Sequence, residues 1–209
     1  LIAMGQPGLT HFEPAYADEL AALMAWAFGH LQDTDGGSVY LRLSTRSIAQ
    51  IERTDAGWRD GAIAGGYWLR PPGAGAQAAI VAMGAMMPEA LAAWTELAPD
   101  VPGLGLLAVT SPDLLHRGWT AAGASRWQNG GPSHVERLLA PLAAGARLVT
   151  LTDAAPATLS WLGGVHGHRV VPLGVDRFGQ TGDLVDLYRT YRLDADAIIA
   201  AMADALIDR

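Results

Sequence analysis

A chain of 209 residues, half of them hydrophobic and 17% charged, carries enough apolar side chain for a sheet buried on both faces and does not have the composition of a disordered protein. Its formal charge of −7 argues against nucleic acid or an anionic membrane as the main partner, because either needs a basic surface to meet phosphates. With no cysteine there is no disulfide, no thiolate metal site and no cysteine nucleophile, which is compatible with the cytoplasm.

The most apolar window, Ala78 to Trp94, contains Pro88 and Glu89 and has strand-then-helix character, so a membrane span is not expected. No signal peptide is visible, and the start at Leu1 suggests a piece of something longer. After a Pro/Gly lead-in, Glu13 and Pro14 introduce a helix over Ala15 to Leu31, with Leu20, Leu23, Met24, Ala27 and Leu31 as its apolar stripe. Asp18 and Glu19 suit the positive end of its dipole. Val39 to Leu43 alternates as a strand. One helix and one strand make a poor core, so residues 1–53 read as the tail of an α/β domain, followed by a connector over 54–77 in which Gly65 to Leu69 has strand character.

From Ala78 onward strands and helices alternate. Strands are expected at Ile80–Met83, Leu106–Val109, Leu148–Leu151 and Val170–Leu173. Helices are expected from Pro88 to about Leu97, after a Thr110 or Ser111 cap with Pro112 at the first helical position, near Pro156–Leu162, and over Ala195–Ile207 behind an Asp194 cap. Between Asp183 and Arg192, Leu184, Leu187, Tyr188 and Tyr191 share a helical face, with Thr181 as the cap. Gly174, Gly179 and Gly182 precede it where special dihedrals or close approaches are expected. This order predicts a mostly parallel sheet in a three-layer α/β sandwich over 78–209.

A ligand of such a sheet sits at the carboxyl ends of the strands, where Gly84, Thr110, Ser111, Thr152, Asp153 and the Gly174–Gly182 turn converge. The turn AMGAMMPE has one glycine, so the dinucleotide fingerprint fails, and neither a P-loop nor a nucleophile elbow occurs. His166 and His168 flank Gly167 as a metal pair without a third ligand, which reads better as a turn. Asp153 is explained most cheaply as the cap of the next helix, and Asp176 and Asp183 as capping and loop-bonding groups. His11 is the histidine beside the incomplete first unit, and its neighbours fit simple packing. Trp58, Trp68, Trp94, Trp119, Trp127 and Trp161 lack helical spacing and read as anchors of core or interface.

Six pieces, in order, resemble a known family: FEPAYADELA at Phe12–Ala21, SVYLRLSTR at Ser38–Arg46, GAIAGGYWL at Gly61–Leu69, AIVAMGAMMPEAL at Ala79–Leu91, LAVTSPDLL at Leu107–Leu115 and LGVDRFGQTGDLVDLYRTYRLDADAI at Leu173–Ile198. Together they resemble the C-terminal part of the homodimeric type of pyruvate dehydrogenase decarboxylase component, in the transketolase superfamily. The resemblance implies the end of a pyrimidine-binding domain over 1–53, a linker over 54–77 and a transketolase C-terminal-like domain over 78–209.

It further implies a cytoplasmic homodimeric oxidoreductase of glycolytic carbon that uses thiamine diphosphate and Mg²⁺. Such an enzyme decarboxylates a 2-oxo acid and passes the two-carbon unit to a lipoyl acyltransferase partner. The family's diphosphate motif, activating glutamate and active-site histidine stretch are absent from this sequence, so no catalytic, cofactor-binding or metal residue is carried over. This part is expected to support the dimer and to be inactive and free of cofactor alone. Val109–Trp119 departs from the better-known pyruvate enzymes at Pro112, which leaves the particular 2-oxo acid open. The rival readings are a transketolase or deoxyxylulose-phosphate-synthase C-terminal domain and a free-standing α/β binding module.

Overall fold

The computed structural model describes residues 3–125 and 130–207. Two sheets organise it. The smaller is a parallel pair of β1 (Leu9–Phe12) and β2 (Ser38–Leu41), connected by α1 (Ala17–His30). The larger has the order β3-β5-β4-β6-β7, built from β3 (Gly66–Arg70), β4 (Ala76–Met83), β5 (Gly105–Val109), β6 (Leu142–Leu151) and β7 (Arg169–Leu173). All its pairings are parallel except β3 against β5.

Period-two alternation splits the core between the two faces of this sheet. On β4, Ala78, Ile80 and Ala82 join one buried cluster while Ala79, Val81 and Met83 join the other. The first cluster is covered by α3 (Met87–Leu97) and α8 (Ala195–Ile207), through Met87, Ala90, Ala93, Ile198, Ala201 and Met202. The second is covered by α4 (Pro112–Ser125), α5 (His134–Leu139) and α6 (Ala157–Ser160), through Leu115, Val135, Leu139 and Leu159. Helices on both faces of a mostly parallel sheet make the expected three-layer sandwich.

Local signals place most of these elements. Pro88 lies in the first turn of α3, Ser111 Oγ accepts the Leu114 N–H at 3.3 Å to start α4, and Asp194 accepts the Ala197 N–H at 3.0 Å to start α8. Elsewhere the chain departs from expectation. The Pro/Gly lead-in contains β1, a four-residue strand too short to show a period. The stretch read as connector holds α2 (Trp58–Ile63) and β3, whose Tyr67 and Leu69 are buried in the first cluster, so it contributes an edge strand to the large sheet. β2 ends at Leu41 rather than Leu43, opposite Phe12, the last residue of β1, whose carbonyl still accepts the Arg42 N–H at 2.9 Å.

The final glycine-rich turn also differs. Asp183, not Thr181, caps α7 (Leu184–Tyr191), accepting the Val185 N–H at 3.0 Å. Gly174, Gly179 and Gly182 keep φ outside the left-handed region; of these, Gly174 is required by close approach, since a Cβ there would fall 2.7 Å from the Ala154 carbonyl oxygen. No side chain of α7 is fully buried, and the helix rests on the first cluster through Tyr188 and Tyr191. Among the described residues no helix is long and apolar enough to cross a membrane.

Several side chains join the small unit to the large one, Arg53 and Glu13 among them. Arg53 donates to Asp18 and Glu19 of α1 and to the Tyr67 hydroxyl of β3, with its guanidinium 4.0 Å from the Trp58 ring centroid. Gly84, at φ +55°, breaks β4 where Glu13 packs against it, and a Cβ there would lie 2.7 Å from Glu13 Cγ. Arg53→Met removes the cation beside the buried Glu19 carboxylate, which keeps hydrogen bonds from the Ala15 and Tyr16 N–H groups and the Tyr67 hydroxyl, and is expected to lower stability by about 3 kcal/mol in urea unfolding. Gly84→Ala is expected to cost about 1–3 kcal/mol from the left-handed backbone, with the clash added. A midpoint unchanged in either variant would show that the contact does not hold the units together.

Candidate functional site

In the large sheet the chain passes from β4 to β5 on one side, while β6 pairs with β4 on the other, so the topological switch point lies at the carboxyl end of β4. Open α/β sheets bind ligands in the crevice there. Here the crevice receives the chain's own Glu13. This residue follows β1 directly, and its backbone N–H donates to the Thr110 carbonyl at 2.7 Å just beyond β5. Its side chain lies on Gly84 beyond β4 and accepts a hydrogen bond from Arg42 Nη1.

Arg42, just beyond β2, also reaches Asp153 beyond β6, from Nη1 to Oδ1 and from Nη2 to Oδ2, the latter at 3.1 Å. Asp153 is therefore the acceptor of a two-pronged guanidinium pair. It is not the helix cap expected from its place after a strand; Pro156 stands at the start of α6 and makes no side-chain cap. A cavity of about 240 Å³ remains beside the three charged groups, lined by Glu13, Arg42, Ser44, Thr45, Ala85 and Asp153.

Burial is the largest effect on Glu13 and pushes its carboxyl up to about 7; Arg42 opposes this and Asp153 adds to it. The hydrogen bonds that it donates to Asp153 hold the Arg42 guanidinium firmly charged. His11 lies beside the same joint, its Nε2 3.8 Å from Glu13 Oε2 and its ring stacked on Tyr40 at 5.2 Å. Burial holds its imidazole below the usual histidine value, with Asp113 acting the other way.

The remaining sequence candidates stay apart from the crevice. His166 Nε2 lies 3.0 Å from the Glu136 carbonyl oxygen, and the His166 and His168 rings are 6.0 Å apart. His166 at φ 55° and Gly167 at φ 71° form the expected turn, yet His168 is buried. Asp183 caps a helix and Asp176 lies exposed in its turn. Trp68, Trp94 and Trp161 each donate their indole N–H to a backbone carbonyl, and Trp119 stacks on Trp161 at 5.6 Å, as anchors do. Trp127 lies outside the described residues. Glu13 and Arg42 were missed as site residues because their partners are 29 and 111 positions away, beyond any local pattern.

The switch-point crevice does not fit thiamine diphosphate and Mg²⁺. Among the described residues no three His, Asp or Glu side chains gather as a metal site. At the crevice both carboxylates are engaged by Arg42, and the 240 Å³ beside them falls below the roughly 300–1,000 Å³ usual for cofactor pockets.

No family model matches the chain. It is 29% identical over 222 residues to the pyruvate dehydrogenase E1 component of Mycolicibacterium smegmatis, an alignment covering 99% of this chain and 23% of that protein. Among solved structures, a Pichia stipitis transketolase variant is similar at a TM-score of 0.70 and 18% identity, with 98% of this chain and 26% of that one covered. Leishmania mexicana transketolase gives 0.67 at 16% identity, with 98% and 26% covered. A chain described as "split gene transketolase, inactive beta4 tetramer" gives 0.67 at 20% identity, with 98% and 60% covered. The chain thus spans about a quarter of the E1 relative and of the two full-length transketolases. The chain is thus similar along 99% of its length to part of an E1 component and has the fold of part of the transketolase chains.

Proposed function

We propose that this chain forms the C-terminal part of the decarboxylating component of a 2-oxo acid dehydrogenase, in which it supports the assembly and leaves the chemistry to preceding domains. The observation that carries this reading is that the likeness to the E1 component runs through both the two-stranded unit and the large sheet. Residues 1–53 then belong to the end of a pyrimidine-binding domain, and 78–209 to the C-terminal domain. The parent would hold thiamine diphosphate and Mg²⁺ in those preceding domains, decarboxylate pyruvate or a near relative, and pass the acyl unit to a lipoyl acyltransferase.

Two features support a scaffolding role. The switch-point crevice, where a sheet of this kind offers its chemistry, is narrowed by Glu13 and its partners to about 240 Å³. On α1 Phe28 is 64% exposed, and Leu31 just past its end is 51% exposed, with Met24 on the same side, an apolar face suited to cover by a second copy in a homodimer. The split transketolase chain that shares this fold is described as inactive, which agrees with chemistry residing elsewhere.

Titration calorimetry of this chain with thiamine diphosphate and Mg²⁺ is expected to give no binding heat; a saturable isotherm with a stoichiometry near one would contradict the assignment. A longer protein carrying this chain together with the preceding domains is expected to reduce an artificial electron acceptor in the presence of pyruvate. Ketol transfer between sugar phosphates without 2-oxo acid decarboxylation would instead make the parent a transketolase.

A further inference from the structure

Glu13 Oε2 and His11 Nε2 are buried, have no hydrogen-bond partner, and face each other across 3.8 Å. Neither has an easy way out to water. The other oxygen of Glu13 is held by Arg42 and its stem lies against Gly84. His11 is stacked on Tyr40, and its backbone N–H donates to Asp113 Oδ2 at 3.3 Å. The two side chains are only 4% and 10% exposed. A buried carboxylate oxygen and a buried ring nitrogen each cost about 1–3 kcal/mol when left unsatisfied, and a proton placed between them satisfies both. We infer that His11 and Glu13 work as one proton-sharing pair whose charge sets how tightly the two-stranded unit is joined to the large sheet.

The pair has two states. In the state with fewer protons, neutral His11 carries its hydrogen on Nε2 and donates it to the Glu13 carboxylate. Two carboxylates, Glu13 and Asp153, then share the single guanidinium of Arg42, and the joint holds one uncompensated negative charge. With one proton more, the Glu13 carboxyl donates to Nε2, and His11 carries its own hydrogen on Nδ1. Arg42 is then balanced by Asp153 alone, through the two-pronged pair already in place. The 3.8 Å between Oε2 and Nε2 must close by about 1 Å for a hydrogen to bridge them; once it does, one hydrogen serves in either state, and gain or loss of the other changes the charge without leaving a bare acceptor. Charge balance favours the protonated state at the buried Glu13, while water screens the part-exposed Arg42 and Asp153.

The charged groups facing the pair come from three other elements. Arg42 at the end of β2 opposes proton uptake by both residues, and Asp153 beyond β6 favours it at Glu13. From α4, Asp113 favours it at His11, and Asp113 is itself met by Arg117 Nη2 at 3.4 Å. Tyr40 on β2 contributes its ring face. Burial raises Glu13 from 4.5 to about 7 and lowers His11 from 6.5, so the proton enters at the carboxyl.

The sign follows from linkage. A raised folded value for Glu13 gives stability that is complete below 4.5 and lost as pH rises through about 7. A lowered value for His11 gives stability present above 6.5 and lost as pH falls through its folded value. The Glu13 contribution makes the joint tighter in weakly acidic solution and looser above neutrality, with His11 limiting the gain on the acid side.

The test is nuclear magnetic resonance of the 209-residue chain with carbon-labelled glutamate and nitrogen-labelled histidine. The Glu13 carboxyl is expected to titrate near 7, with the His11 ring nitrogens changing tautomer at the same midpoint. In hydrogen exchange, the opening equilibrium read at the Glu13 amide, corrected for intrinsic rate, is expected to rise by up to about tenfold per pH unit between about pH 5 and 7. Glu13→Gln should abolish that slope, and His11→Phe should uncouple the carboxyl from any ring titration. A wild-type Glu13 midpoint near 4.5, or His11 titrating near 6.5 at a midpoint of its own, overturns the proposal. These wild-type measurements decide it even if a variant fails to fold.

Discussion

The structure turns on the placing of one carboxylate. Glu13 leaves the small parallel pair and enters the switch point of the large sheet, and the strand ends of both sheets meet around it. Arg42 and Asp153 then complete a three-membered ionic joint drawn from β2 and β6. Buried ion groups of this kind add little net stability, because desolvation offsets much of the attraction. What they impose is register: with a guanidinium between two carboxylates from different sheets, a slip of either unit strands a charge. Gly84 serves the same end, since its missing Cβ is the space that Glu13 occupies.

This joint explains why a wound sheet of ordinary design leaves only a cavity of about 240 Å³ at its most favourable point. In such a fold the loops beyond the parallel strands are free to diversify, and the geometry of the sheet makes their meeting place the natural site of chemistry. Here those loops contribute Thr110, Gly84 and Asp153, and all three contact the amino-terminal unit. A surface spent on holding a neighbouring unit is a poor place for a substrate.

What could be read in the sequence divides along the range of the interactions. β4, β5, β6 and β7 show as apolar runs, and α3, α4 and α8 show through Pro88, Ser111 with Pro112, and Asp194, because strand period and capping act over a few residues. β1 was hidden by being four residues long behind a Pro/Gly stretch. β3 was recognisable as a strand but not as a member of the large sheet, since its antiparallel partner β5 lies some 40 positions on and the glycines around it imitate a linker. Asp153 illustrates the limit for the site. An aspartate after a strand and before a helix has a local explanation, and the true partner, 111 residues earlier, leaves no mark on its neighbours.

The long irregular stretch between β2 and α2 shows how that limit is met physically. It has no strand or helix of its own between Arg42 and Gly57, yet it is tied down by three arginines. Arg42 takes Glu13 and Asp153; Arg46 takes Glu89, the Ala85 carbonyl and the Tyr188 hydroxyl; Arg53 takes Asp18, Glu19 and Tyr67. Each is a fork that binds two or three elements at once, which an ammonium on a flexible stem does poorly. All 14 of the chain's Lys/Arg residues are arginine, so the preference is not confined to the strap. A guanidinium does not lose its proton in the accessible range. Any response of these clamps to pH therefore falls on the acidic side of each pair, and burial raises the carboxyls of both Glu13 and Glu19. The strap is in this way permanently positive, while the carboxyls it grips are the groups free to change their charge.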